Sequence, residues 1–131
     1  VPVTSVDYYP TILAAAKADP MPKQHLDGES LLPVLSGQAA RLKRDTLYWH
    51  YPHYGNQGGT PGSAIRMGDY KLIKFYTPGK AIELYNLKED IGEKNNLAEA
   101  KPEITKKLMA MLEKHLKETE SRLPTLNPNK K

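Results

Sequence analysis

The 131 residues include no cysteine, which removes disulfides and thiolate chemistry and leaves the redox compartment unread. No apolar run approaches the roughly 20 residues that cross a bilayer, so no membrane partner is expected. The opening Val1-Pro2-Val3 carries neither a signal-peptide pattern nor an initiator methionine, as expected of a cut-out or processed piece. Clustered charge is also missing. The net charge is +4, from 19 Lys and Arg against 15 Asp and Glu. The basic residues are spread along the chain, and acids such as Glu83, Glu93 and Glu113 accompany them in its second half. Tracking a phosphate backbone needs a basic cluster, so a nucleic-acid surface is not expected. Lys130-Lys131 is a tail rather than a patch.

What is present suits one small core. Hydrophobic residues make up 39%, while 11 prolines and 9 glycines imply many loops. Residues 5–18 read as a helix, with Ser5 as N-cap, Asp7 in the first turn and an Ile12-Leu13-Ala14-Ala15-Ala16 run. Residues 19–45 are punctuated by proline and read as irregular, apart from a helical turn near Leu31-Leu35. Such an arm has few ways to bury itself and is expected to lie along another surface.

The middle of the chain is β. Strands are expected over 46–51, 63–67, 70–76 and 82–87, and Gly68-Asp69 suits a primed hairpin turn. That turn sets Met67 opposite Tyr70 and Arg66 opposite Lys71. Like charges facing each other repel unless splayed into solvent or relieved by an anion. Residues 102–118 read as a helix with Pro102 near its start and an apolar stripe of Ile104, Leu108, Met111, Leu112, His115 and Leu116. The tail over 123–129 reads as extended. The expected fold is therefore α+β: a small antiparallel sheet of three to four strands with one long C-terminal helix packed across it. A further helix and an irregular arm precede it and read as belonging to something larger.

The densest chemistry lies in Tyr48-Trp49-His50-Tyr51-Pro52-His53-Tyr54, which runs into a glycine-rich stretch over 55–62 read as a mobile loop. Along the strand, Leu47, Trp49 and Tyr51 alternate with Tyr48 and His50, and this phase assigns Trp49 to the core. His50-x-x-His53 has metal-ligand spacing, but nothing nearby completes a shell, so no metal site is expected. His25 and His115 read as structural.

The order of segments resembles the C-terminal region of a bacterial sulfatase of the arylsulfatase family, in the alkaline-phosphatase-like superfamily. The matching stretches include Ser5-Val6-Asp7-Tyr8-Tyr9-Pro10-Thr11-Ile12-Leu13 and Leu26-Asp27-Gly28-Glu29-Ser30-Leu31-Leu32-Pro33. Tyr48-Trp49-His50-Tyr51-Pro52, Ala64-Ile65-Arg66-Met67-Gly68-Asp69-Tyr70-Lys71-Leu72-Ile73, Glu83-Leu84-Tyr85-Asn86-Leu87, Asp90-Ile91-Gly92-Glu93 and Asn95-Asn96-Leu97-Ala98 follow in family order. The resemblance implies that residues 1–45 are the terminal helix and connecting arm of a large α/β catalytic domain, and 46–131 a C-terminal subdomain. It further implies hydrolysis of sulfate esters of glycans or aryl compounds, and a periplasmic or secreted location.

The family's nucleophile, a formylglycine made within a C/S-x-P-x-R motif, and its calcium ligands, an Asp-Asp pair with a later Asp-Asn or Asp-His pair, have no match in this chain. No catalytic residue or cofactor is therefore expected here. Formylglycine and calcium would sit in a catalytic domain of the same polypeptide, and the isolated chain would be inactive. The resemblance makes His50, His53 and Arg66 the expected substrate-binding residues, with the anion opposite Arg66 and Lys71 a carboxylate of the catalytic domain or a sulfated glycan. Two other readings stay open. One is a carbohydrate-binding module using Trp49, Tyr51 and Tyr54. The other is a structural or assembly subunit that binds a partner through residues 1–45. Without a catalytic domain to lie on, that arm is expected to expose Val6, Tyr9, Ile12 and Leu13 and to pair with another copy or fold back on the sheet.

Overall fold

The computed structural model describes residues 1–55 and 58–125. Asn56 and Gln57 of the glycine-rich stretch, and the tail from residue 126, lie outside the described residues. The chain forms two compact units, Val1–Asp45 and Thr46–Lys131.

The second unit is the expected α+β layer pair. Strands β1 (Thr46–Tyr51), β2 (Gly62–Met67), β3 (Tyr70–Phe75) and β4 (Glu83–Asn86) form one sheet in the order β1-β2-β3-β4, antiparallel throughout. Gly68 takes the left-handed conformation, φ +57°, that the tight β2–β3 turn needs. The register is the one the turn dictates: Met67 faces Tyr70 and Arg66 faces Lys71. The long helix, Pro102–Glu118, lays Leu108, Leu112 and Leu116 on Ile65, Leu72 and Leu84, and together they form the buried core. Lys74 and Glu113 pair across the rim of this layer at 2.8 Å.

The core row on β1 is Tyr48, not Trp49. Tyr48 lies across from Ile65 and packs against the core, its ring stacked on His115 with centroids 3.8 Å apart. Trp49 is 43% exposed and Tyr51 54%, both on the face away from the helix. The assignment of Trp49 to the core is thus corrected. Both faces of β1 carry large side chains, so hydrophobicity could not phase it, whereas the row set by Ile65, Leu72 and Leu84 does.

In the first unit a 3₁₀ turn, Ser5–Asp7, leads into α1 (Tyr8–Ala15), and α2 (Leu32–Leu35) is the expected short turn. Thr4, rather than Ser5, occupies the N-cap position. Asp7 is no solvated first-turn acid. It is fully buried, and Arg44 grips it in a bidentate pair, Nη1 to Oδ1 at 2.8 Å and Nη2 to Oδ2 at 2.7 Å. The backbone N–H groups of Thr4 and Glu29 donate to the same carboxylate. Glu29 in turn accepts from the backbone N–H groups of Lys43 and Arg44. Gly28 has no room for a side chain: a Cβ there would lie 2.2 Å from the Val6 carbonyl oxygen. Leu26-Asp27-Gly28-Glu29 is therefore irregular in backbone yet tightly held, by polar bonds rather than by apolar burial. Val6, Tyr8, Tyr9 and Ile12 remain exposed.

Candidate functional site

With the helix on one face, the other face of the sheet is left for chemistry. An open cavity of about 450 Å³ lies there, lined by Trp49, Ala64, Ile73 and Leu87 and by the charged Arg66, Lys71 and Glu93. The cross-strand repulsion expected between Arg66 and Lys71 is relieved from within the chain, because Lys71 Nζ meets Glu93 Oε1 at 2.6 Å. Arg66 is left with a long bond from Nε to the Gly68 carbonyl at 3.4 Å, and among the described residues it forms no ion pair. A guanidinium beside an exposed indole can hold an oxyanion in fork geometry while the ring stacks on an apolar face.

Next to this cavity, burial drives the Tyr85 phenol up to about 12. The nearby carboxylates of Glu83, Glu93 and Asp90 push it the same way. Tyr85 therefore stays a neutral hydroxyl beside Glu83.

His50 lies on the opposite face. Its Nε2 is 3.0 Å from the Arg122 carbonyl oxygen, and its Nδ1 is 2.6 Å from Ser63 Oγ. A carbonyl can only accept, so Nε2 carries the hydrogen. In the neutral ring Nδ1 then accepts from the Ser63 hydroxyl, which is buried and also 2.6 Å from Tyr76 OH. The imidazole thus ties the segment after the long helix to β1. Replacing His50 by Ala is expected to free that segment, with trypsin cutting after Arg122 about two- to tenfold faster, the equivalent of one hydrogen bond of about 0.5–1.5 kcal/mol. An unchanged cutting rate would show that the tie does not hold the segment.

His53 is exposed beyond β1, its ring edge-on to Tyr51 at 5.5 Å. The expected site residues therefore do not converge. Arg66 is in the cavity with Trp49, His50 is turned to the helix side, and His53 stands in the loop past the strand. Sequence reasoning missed Glu93 as the partner of Lys71, and Tyr76 and Ser63 as partners of His50. Only the two-residue alternation of β2 hinted that Ser63 and His50 could share a face.

The residues present do not suit calcium. Asp7, the one fully buried carboxylate among the described residues, spends both oxygens on Arg44 and backbone N–H groups. Among the described residues no three His, Cys, Asp or Glu side chains gather as a metal set.

Residues 2–122 match the family described as N-sulphoglucosamine sulphohydrolase, C-terminal. The chain belongs to that family. It is the C-terminal region of a sulfatase, as the order of its motifs suggested. It is 39% identical to a sulfatase of Formosa agariphila over 108 residues, which is 76% of this chain and 19% of that protein. It is 33% identical to the N-acetylglucosamine-6-O-sulfatase of Bacteroides thetaiotaomicron over 130 residues, 97% of this chain and 23% of the relative. Among solved structures, one in complex with its substrate D-glucosamine-2-N,6-O-disulfate superposes with a TM-score of 0.69 at 31% identity, covering 88% of this chain and 24% of the other. This sulfatase C-terminal chain thus spans about a fifth to a quarter of the relatives it matches.

Proposed function

We propose that the chain is the C-terminal part of a sulfatase that hydrolyses sulfate esters of glycans, completing its substrate cleft while the remaining polypeptide supplies the chemistry. The observation that carries this reading is the family match over 2–122, in a chain with no cysteine and no Ser-x-Pro-x-Arg. Relatives named for glucosamine sulfates support glycans as the substrate class. In this reading formylglycine and calcium reside outside these residues, in a catalytic domain whose terminal helix and connecting arm are residues 1–45. Export to the periplasm or beyond follows from the same analogy.

Arg66 and the loop residue His53 are the proposed substrate contacts, and His50 acts by fixing the end of β1. The exposed row of Val6, Tyr8, Tyr9 and Ile12 is the surface through which the isolated chain would self-associate. The test is direct. The purified 131-residue chain is expected to sediment as more than a monomer and to turn over no nitrophenyl sulfate, whereas a longer polypeptide containing it does. Turnover by the short chain above a buffer control overturns the division of labour, and strict monomers overturn the association surface.

A second reading, a carbohydrate-binding module acting unaided, is favoured by the exposure of Trp49, Tyr51 and Tyr54. Binding of a sulfated sugar by the short chain, together with no sulfate-ester turnover by a longer polypeptide containing it, speaks for it.

A further inference from the structure

We infer that the helix-free face of the sheet is a trough for a sulfated oligosaccharide, in which sugar faces stack on Trp49 and Tyr51 while Arg66 at one end and Lys80 at the other hold sulfate groups. The inference rests on the reading of the chain as part of a glycan sulfatase and says where on the chain the glycan lies.

The trough follows from the register. Trp49 lies across from Ala64, and Ala64 from Ile73. One row along, Tyr51 lies across from Gly62, and Gly62 from Phe75. The small residues of β2 thus form a floor between a tall aromatic row on β1 and an apolar row on β3. With strands about 4.8 Å apart the walls stand about 10 Å from each other, and the run from Gly62 to Arg66 measures about 13 Å. That is room for a pair of pyranose rings in line. A Cβ at residue 62 would come 3.5 Å from Phe75 Cδ1, so a larger residue there would begin to fill the floor.

The charges suit an anion. Lys80 Nζ sits 3.6 Å above the Phe75 ring centroid, at the end opposite Arg66. Of the carboxylates on this side, Glu93 is paired with Lys71, Asp90 accepts from the backbone N–H groups of Lys94 and Asn95, and Glu83 lies beside the Tyr85 hydroxyl, while among the described residues neither Arg66 nor Lys80 has an ion-pair partner. Separated cations flanking exposed aromatic faces match a chain of sulfated rings better than they match an apolar protein surface.

Trp49 is the only tryptophan, so its emission reports on the trough itself. The 131-residue chain is titrated with a heparin tetrasaccharide and with the same sugar after desulfation. The expected result is a saturable change in Trp49 emission that is at least tenfold weaker for the desulfated sugar and for Arg66→Gln, and about threefold weaker for Lys80→Gln, with melting temperatures unchanged. No response, equal responses to the two sugars, or wild-type binding by Arg66→Gln overturns the trough. The longer polypeptide separates this from the sulfatase reading. If it hydrolyses the tetrasaccharide and Arg66→Gln leaves its KM for that sugar unchanged, the sulfatase reading stands and the trough falls, the face being covered by other protein. A tenfold rise in KM for the tetrasaccharide, with KM for a small aryl sulfate unchanged, supports it.

Discussion

Replacing Asp7 by Asn is expected to destabilise the first unit by about 3–5 kcal/mol, the usual cost of removing one member of a buried ion pair. The carboxylate is fully buried, and its four bonds go to Arg44 Nη1, Arg44 Nη2, Thr4 N and Glu29 N. An amide cannot match that set, because its nitrogen would point a donor at donors, and the Arg44 charge would be left without its counter-ion. Replacing Asp7 and Arg44 together by apolar residues of similar volume should cost less than the single change, since no uncompensated charge then remains. Amide exchange in α1 is the measurement. Slowly exchanging amides that survive Asp7→Asn within 1 kcal/mol would mean that the pair does not hold the arm.

Acid should act on the same bond. Burial alone would raise the Asp7 carboxyl, but the hydrogen bonds from Arg44, Glu29 and Thr4 and the guanidinium charge outweigh it and hold the group at about 2. The folded value lies below the ordinary 3.8, so the contribution is present above that value and is lost as pH falls from 3.8 through 2. The difference corresponds to about 2 kcal/mol. Opening of the first unit should therefore steepen in that window, and Asp7→Asn should flatten the profile there.

The second large effect is expected at Leu112. It is fully buried on the middle of the long helix, among Ile65, Leu72, Leu84, Leu108 and Leu116. Leu112→Ala should cost about 2–5 kcal/mol, combining lost transfer energy with the cavity left behind. The helix cannot easily settle into that cavity, because Leu108 and Leu116 brace it one turn to each side. A denaturant titration showing less than half of the lower bound would place the stripe outside the core.

Much of this fold was legible because the decisive signals are local. Pro102 and the stripe at spacings of three and four placed the long helix at its observed limits, and Gly68-Asp69 fixed the β2–β3 register. The phase of β1 was not legible. No tight turn ties β1 to β2, and Leu47, Trp49, Tyr48 and His50 present large side chains to both faces. Counting back from the Gly68 turn identifies Ile65 as inward but cannot carry that information across the ten residues that separate β2 from β1 in the sequence. The Asp7–Arg44 pair spans 37 positions and looks like two ordinary surface charges until the backbone brings them together. Glu93 was hidden in the same way: the repulsion between Arg66 and Lys71 could be deduced, but its relief comes from beyond β4.

The strictly consecutive strand order has a consequence for synthesis. Each strand pairs with the one that left the ribosome just before it, so the sheet can zip up as it emerges, without waiting for a distant partner. The helix that covers the sheet comes last. Until residues 102–118 are out, Ile65, Leu72 and Leu84 form an open apolar row on a twisted ribbon, a surface on which nascent chains stick to one another. A stop codon anywhere before the long helix should therefore yield aggregates rather than a smaller soluble sheet, and a chaperone would be needed most in the interval between β4 and Pro102.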